Sequence, residues 1–325
     1  MSRMNIHLQQ VGHRKMIDLL FFTLCVLVAG CSLTPSEYLA KDPARPTRAL
    51  VDNVPFFAQD ELQCGPASLA MALNWSGIAV TPPELSPEVY TPALEGSLQN
   101  SLIGSTRGHG RVPYPVSDVT TLMAEISAGH PVIVLVNLGF SWYPRWHYAV
   151  VIGYDLNEEV MILHSGLTAR ETISFWTFNN IWKRSDYWGL LILPPDRLPK
   201  VALESKWLSA VAGLETAEQW QAASIGYVTA IKRWDKNVIA WMGLGNSNYN
   251  LGNLDASAEA FFQATRLQPE NGIAYNNLAD VLAKQGKLDK AFTFAQRAVE
   301  LGGPLRDTFR QTLAEIRTLQ LEKTK

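Results

Sequence analysis

The sequence contains little cysteine: Cys25, Cys31 and Cys64 are the three cysteines in 325 residues. So few thiols exclude a framework of several disulfides, and together with scattered histidines they offer no zinc-type cluster. The formal charge is -2 and no dense run of Lys and Arg follows residue 30, so the sequence gives no sign of a nucleic-acid surface. A glycine-rich phosphate loop is missing too. We therefore expect no metal, no cofactor and no nucleic-acid partner.

Residues 1–30 resemble the signal peptide of a bacterial lipoprotein. Arg14 and Lys15 supply positive charge, the apolar run LLFFTLCVLV follows, and LVAGC ends on Cys31. The apolar run is too short to span a bilayer comfortably, which favours cleavage; an uncleaved signal anchor is the alternative. The resemblance implies a diacylglyceryl group on Cys31, hence a membrane anchor. Because Ser32 follows, it also implies an outer-membrane location facing the periplasm or the cell surface.

The rest of the chain divides into a tether and two parts with different sequence patterns. Residues 31–50 are rich in Pro, Ser, Ala, Lys and Asp and predict a tether. Residues 51–197 begin with a helical pattern and a stretch rich in Pro, Gly and Ser. They end with four strand-like runs, HPVIVLVNL, HYAVVIGYD, EVMILHSG and YWGLLILPP. A helix first and a sheet afterwards predicts an α+β domain.

Residues 204–321 show a repeat with an offset of 34 residues. The offset relates Trp241 to Tyr275 and Gly252 to Gly286, and small residues recur where helices would cross. This is the tetratricopeptide spacing, with two helices per unit. We predict an all-α tetratricopeptide-repeat domain with units at about 204–237, 238–271 and 272–305 and a terminal capping helix. The first unit lacks the turn glycine, and a generic helical bundle is the alternative.

Cys64 is the one free thiol expected in the mature chain, so it is either a buried apolar residue or a reactive group. It heads QCGPASLAMALNW, whose apolar residues recur at helical spacing. At a helix N-terminus the macrodipole and the free N–H groups favour a thiolate. An oxyanion formed at Cys64 would lie against its own N–H, and an upstream amide could complete the hole. Gln59 is the preferred donor and Gln63 the weaker one.

His147 opens the strand-like run HYAVVIGYD and is the candidate general base, although a satisfied polar histidine is the alternative. QDELQCGPASLAMAL together with WHYAVVIGYD resembles the papain-like cysteine peptidases that process double-glycine leaders of bacteriocins, and their stand-alone relatives. The resemblance covers roughly Val51 to Leu193. It implies a papain-like fold with Cys64 as nucleophile, His147 as base and Gln59 in the oxyanion hole.

The third catalytic residue of that family departs from the pattern here. The family places an Asp on the strand after the histidine strand, and this chain has MILHSG, which offers His164 or Ser165. Asp155 follows the His147 strand and is a further candidate. His164 would take the third place as a polar group does in NlpC-type peptidoglycan endopeptidases.

Three functions follow from these features. The first is a lipid-anchored cysteine peptidase that cleaves a peptide or protein substrate, with helical repeats that recruit a protein partner. The second is a catalytically degenerate envelope scaffold that acts through its repeats, favoured by the missing Asp. The third is a peptidoglycan peptide hydrolase.

Overall fold

The computed structural model describes residues 44–58 and 63–323. The predicted signal peptide, Cys31 and Gln59 lie outside the described residues. Within those ranges no helix combines the length and the hydropathy that a membrane-spanning segment needs.

The first part of the chain is a seven-stranded antiparallel sheet with helices packed on it, in the strand order β4-β9-β5-β6-β7-β8, with β1 beside β6. The strands of this sheet are β1 Arg48–Leu50, β4 Val112–Val116, β5 Val132–Asn137, β6 Trp146–Asp155, β7 Val160–Ser165, β8 Thr168–Ser174 and β9 Gly189–Leu193. A separate two-stranded ribbon pairs β2 Tyr90–Thr91 with β3 Gly96–Ser97. The helices are α1 Cys64–Trp75, α2 Pro82–Val89, α3 Gln99–Gly108, α4 Val119–Ser127 and α5 Phe175–Lys183. The predicted α+β arrangement is confirmed.

Strand β6 organises this sheet because it is long enough to pair with three neighbours. Its first six residues pair with β5 and its last three with β1, while β7 runs along its other edge. A bulge between Val151 and Gly153 interrupts the β7 ladder. At Gly153 a Cβ would lie 2.7 Å from the carbonyl oxygen of Ala49, so glycine lets β1 approach.

Helix α1 packs on one face of the sheet and is buried along nearly its whole length. Its apolar side chains share a core with Ile133 and Leu135 of β5 and with Tyr148, Val150 and Ile152 of β6. The strand residues alternate in sequence, as expected for one face of a sheet. Cys64 packs against the edge of the same core.

Two elements of the stretch rich in Pro, Gly and Ser contain prolines. Helix α2 starts with prolines, and Thr81 and Glu84 form a capping box at its N-terminus. Proline suits a first helical turn, so the pattern TPPE was a usable signal. Strand β4, VPYPV, carries two prolines and lies at the sheet edge beside β9, where a missing ladder donor is tolerated.

The second part is all helical. Its helices are α6 Glu204–Thr216, α7 Trp220–Arg233, α8 Val238–Asn250, α9 Leu254–Leu267, α10 Gly272–Lys284, α11 Leu288–Leu301 and α12 Arg306–Lys323. The inter-helix turns of the second and third pairs contain Gly252 and Gly286, with φ of 77° and 74°. Glu218 stands one period earlier and adopts φ of 56°, so the first pair makes the same turn without glycine.

A buried carboxylate fixes the segment that joins the two parts. Glu125 of α4 is fully buried, and its oxygens accept hydrogen bonds from the backbone N–H groups of Lys200 (2.9 Å) and Val201 (2.8 Å). His130 Nδ1 lies 2.8 Å from the same carboxylate. Hydrogen bonds to a buried charged group are among the stronger ones in proteins. We call this arrangement the Glu125 clasp.

Two further contacts hold the parts together. The Tyr114 hydroxyl donates to the carbonyl oxygen of Val201 and accepts from the N–H of Leu203, both at 3.0 Å. The guanidinium of Arg107, on α3, lies so close to α6 that a Cβ at Gly213 would collide with it. The repeats are therefore attached to the sheet domain by specific packing as well as by the chain.

Glu125→Ala should expose the joining segment to protease. Each hydrogen bond to the buried carboxylate contributes about 1.5–3 kcal/mol, so its removal should raise local opening at least about tenfold. Limited trypsin digestion of the native chain, followed by mass spectrometry, reports cleavage after Lys200. Glu259→Ala removes an exposed carboxylate from α9 and is the matched control. An unchanged cleavage rate in Glu125→Ala would show that the clasp does not hold the segment.

Candidate functional site

Cys64 is the first residue of α1, as the sequence predicts, and its thiol is half-buried. The helix begins there because GPASLAMAL is buried throughout and packs on the sheet. A hydrogen bond from the backbone of Tyr148 reaches the thiol. Tyr148 directly follows His147, so the thiol lies against the peptide unit at the start of β6.

The protonation of the thiol differs from the sequence-based expectation. Burial raises the pKa of the Cys64 thiol above its ordinary value, and the backbone hydrogen bonds of Tyr148, Gly65 and Cys64 itself lower it by less. The N–H groups at the helix start do favour the thiolate, as expected, but burial outweighs them. The free energy needed to remove the thiolate from water is larger here than the stabilisation that the backbone N–H groups provide.

His147, at the start of β6, contacts one residue of the neighbouring strand. Its Nε2 lies 3.1 Å from Ser165 Oγ, at the end of β7. Burial lowers the pKa of His147, which keeps the imidazole neutral near pH 7. Ser165 Oγ can accept from a proton on Nε2, and in that tautomer Nδ1 is an unprotonated acceptor. Ser165 is thus the candidate third member that contacts His147.

His164 is placed elsewhere although it precedes Ser165. Its Nε2 lies 3.2 Å from the carbonyl oxygen of Val54, and its Nδ1 accepts from the N–H of Arg170 at 3.1 Å. Both ring nitrogens are therefore occupied, and neither faces His147. Burial lowers the pKa of His164, so it is a neutral histidine that ties the segment containing Val54 to the sheet. To act as the third catalytic residue, His164 would need its ring to face His147. The peptidoglycan interpretation assigned it that role and would need the same change.

Asp155 lies at the opposite end of β6 from His147. Asp155 stands eight positions after His147, about 26 Å along a strand at about 3.3 Å per residue. Its carboxylate accepts from the backbone N–H groups of Asn157 and Glu158 and lies 3.6 Å from Arg48 Nε. Asp155 shapes the β6–β7 turn and is too distant to orient the imidazole.

Ser97 and Tyr148 belong to the site and were not singled out by the sequence. Ser97 Oγ packs against Gly65 so closely that any Cβ at Gly65 would collide with it. The Tyr148 hydroxyl donates to the carbonyl oxygen of Ser97 at 3.1 Å. The glycine after the nucleophile is thus required by the ribbon strand β3. No sequence motif marks Ser97, since its role depends on a contact between distant segments.

Of the two candidate side-chain donors to an oxyanion, only Gln63 lies among the described residues. Gln63 precedes α1, and its side chain makes no capping hydrogen bond. Gln59 lies outside the described residues, so its predicted role stays a prediction. Among the described residues, no group of three His, Cys, Asp or Glu side chains is placed to hold a metal ion.

The family models match both parts of the chain. Residues 51–189 match the model described as the Peptidase_C39 like family. The chain carries a Peptidase_C39-like domain. Residues 214–265 and 249–304 match the tetratricopeptide repeat model, so repeats of this type follow the domain. No curated protein matches the chain in sequence. The narrower resemblance to bacteriocin leader peptidases stays a prediction.

Solved structures resemble each part separately. A structure described as a C39-like peptidase from Bacillus anthracis has 18% identity and a TM-score of 0.40, covering 45% of this chain and 97% of that chain. The Yersinia enterocolitica type III secretion translocator chaperone SycD has 14% identity and a TM-score of 0.35, covering 37% and 86%. The Arabidopsis OM64 TPR domain has 16% identity and a TM-score of 0.34, covering 35% and 94%. Likenesses of this size do not bear on function.

Alkylation of Cys64 by iodoacetamide should be slow at neutral pH. Only the thiolate reacts, and burial raises the pKa of the Cys64 thiol, so the rate should still be rising at the pH where an ordinary thiol has reached its plateau. Mass spectrometry of the peptide that contains Cys64 measures it apart from Cys25 and Cys31. The urea-unfolded chain is the control, with an ordinary thiol titrating near about 8.5. A plateau below neutrality that disappears in His147→Ala would instead establish a resting thiolate–imidazolium pair.

Proposed function

We propose that the chain is a cysteine peptidase that hydrolyses amide bonds with Cys64 as nucleophile and His147 as base. The observation that supports this most is the placement of the thiol against the His147–Tyr148 peptide while Ser165 contacts Nε2 of the imidazole. That leaves Nδ1 as the nitrogen available to the thiol. The Peptidase_C39-like match supports the same reaction class.

The chemistry starts from two neutral groups. Nδ1 of His147 accepts the thiol proton while Cys64 Sγ bonds to the amide carbonyl carbon, and the C=O electron pair moves onto oxygen. The N–H groups at the start of α1 face the oxyanion. The imidazolium then protonates the amine as the C–N bond breaks, which leaves a thioester. Water, deprotonated by His147, cleaves the thioester and restores the thiol.

Ser165 acts as the positioning residue of His147. A serine hydroxyl orients the ring without adding a negative charge, so the imidazolium formed during the reaction gains less stabilisation than beside an Asp. This suits a site in which burial already favours the neutral imidazole.

The repeats and the predicted anchor complete the proposal. The chain is held by lipid on Cys31 at the outer membrane, facing the periplasm or the cell surface, and the repeats recruit a protein partner or the substrate. Tetratricopeptide repeats support protein binding, since stacked helix pairs expose extended grooves. A cavity of about 610 Å³ between α9 and α11 is lined by Phe262, Leu282 and Phe294 together with Asp255, Lys287 and Lys290.

Cys64→Ala and His147→Ala should each reduce peptide cleavage by about a thousandfold or more, because the groups act as a unit. The full chain is incubated with a pool of random peptides, and new termini are counted by mass spectrometry. Thr318→Ala, at an exposed position of α12, is the control that leaves both the site and the domain connection intact. Full cleavage by Cys64→Ala would exclude this mechanism.

Ser165→Ala should lower kcat about tenfold with little change in KM, since the ring loses its orienting contact. Ser165→Asp should raise the pKa of His147, because a carboxylate near the ring stabilises the imidazolium. Cys64 alkylation in that variant should extend to lower pH, an effect that a purely structural serine would not produce. Identical alkylation profiles in wild type and Ser165→Asp would remove Ser165 from this role.

A non-catalytic envelope scaffold is the second candidate. It is favoured by the raised pKa of Cys64 and by the serine that stands beside His147 where the family has an Asp. This candidate is supported if wild type cleaves no member of the peptide pool while a protein partner binds wild type and Cys64→Ala equally.

A further inference from the structure

The hairpin that joins β5 to β6 exposes a continuous set of large apolar side chains. We call residues 138–146 the aromatic hairpin. Five of its side chains are between 52% and 82% exposed: Leu138, Phe140, Trp142, Tyr143 and Trp146. The Phe140 and Trp142 rings stack with centroids 5.7 Å apart. Apolar sets of this kind on a protein surface generally mark an interaction site.

The aromatic hairpin has a defined backbone. Asn137 Oδ1 accepts from the N–H groups of Gly139 and Arg145, both at 2.9 Å. Leu138 N–H donates to the carbonyl oxygen of Arg145 at 2.9 Å, and Arg184 Nη1 donates to that of Gly139 at 2.6 Å. The aromatic rings are therefore presented by an ordered turn, which lowers the entropy lost when they are buried by a partner.

The charge within the hairpin sequence has one sign. No Asp or Glu occurs from Asn137 to Tyr154, whereas Arg145 lies within the hairpin and is exposed. The guanidinium of Arg184 contacts the hairpin from α5's C-terminal side. Exposed Trp, Tyr and Phe beside Arg, without carboxylates, form the composition that binds the interface of an anionic bilayer.

The position of the aromatic hairpin connects it with the active site. Trp146 directly precedes His147, and Leu167, 74% exposed, lies in the turn after Ser165. These side chains project from strand ends and turns, whereas peptide side-chain pockets are concave. Apolar side chains that project from a protein in this way can insert into a bilayer surface.

We propose that the aromatic hairpin inserts into the interface of an anionic phospholipid bilayer and holds the mouth of the Cys64–His147 site against it. Phe140 and Trp142 enter the boundary between headgroups and acyl chains, and Arg145 pairs with lipid phosphate. The substrate of the proposed peptidase is then a chain that lies at the membrane surface. Insertion itself depends neither on catalysis nor on lipid at Cys31.

The test compares full-length variants on vesicles of phosphatidylcholine alone and phosphatidylcholine mixed with phosphatidylglycerol. Phe140→Ser with Trp142→Ser should lower partition into the mixed vesicles by about tenfold or more. Arg145→Glu should lower it on mixed vesicles only. Trp176→Ser removes another exposed tryptophan, 63% exposed against 82% for Trp142, from α5 and is the control. Residues 1–30 are common to all variants, so differences report the substituted side chains.

A second measurement covers the case in which residues 1–30 dominate partition. Brominated acyl chains quench tryptophans that reach them, so Trp142→Phe should lose a larger share of quenching than Trp176→Phe. Unchanged partition and unchanged quenching in the hairpin variants overturn the proposal, as does an equal loss in the control. Loss of peptide cleavage with unchanged vesicle binding also overturns it and assigns the hairpin to substrate. An unaltered Cys64 alkylation profile shows that each variant is folded and separates this test from that of catalysis.

Discussion

The pairing of strand β6 with three neighbours is the constraint on which the rest of the domain depends. Its apolar residues contribute to the core beneath α1, and its first residues lie where α1 begins. The packing of α1 on β6 therefore places Cys64 near His147 without a hydrogen bond between the two side chains. The ladder to β7 carries Ser165 to the same end of the sheet. The positions of these side chains therefore follow from the pairing register of the strands.

The burial that creates this site also sets its protonation. The thiol and the imidazole both lose water, which raises the pKa of Cys64 and lowers that of His147. Both shifts favour the neutral pair. A peptidase with an Asp beside the histidine offsets burial with a charge, and a serine does not. In the proposed mechanism, charge separation is then deferred to the moment when a substrate carbonyl is attacked.

Much of the fold could be predicted because its signals are local. Apolar runs bounded by turn residues marked β5, β6, β7 and β9, and the offset of 34 residues marked the repeats. Strand β4 was hidden by its prolines, and β8 is an edge strand whose residues are mostly exposed. Such elements are stabilised by neighbours that a local pattern does not show.

The third member of the site could not be chosen from sequence for a related reason. His164 and Ser165 are adjacent, and in a strand adjacent side chains point to opposite faces, so the choice depends on register. A bulge after Val151 shifts the β6–β7 ladder, and sequence does not locate it. The raised pKa of Cys64 escaped prediction because local sequence reports a helix start and not the depth of burial.

The attachment of the repeats adds a geometric argument about substrate delivery. A flexible linker would let a bound partner sample many positions, whereas the Glu125 clasp, Tyr114 and Arg107 fix the first helix of the repeats to the sheet domain. A partner held by the repeats is then presented at a fixed place relative to Cys64. The aromatic hairpin directly precedes His147, so its proposed insertion also fixes the position of the site relative to the membrane. In the proposed peptidase, two such constraints limit how a substrate chain reaches the thiol, so its specificity is expected to come from placement more than from a deep pocket around the scissile bond.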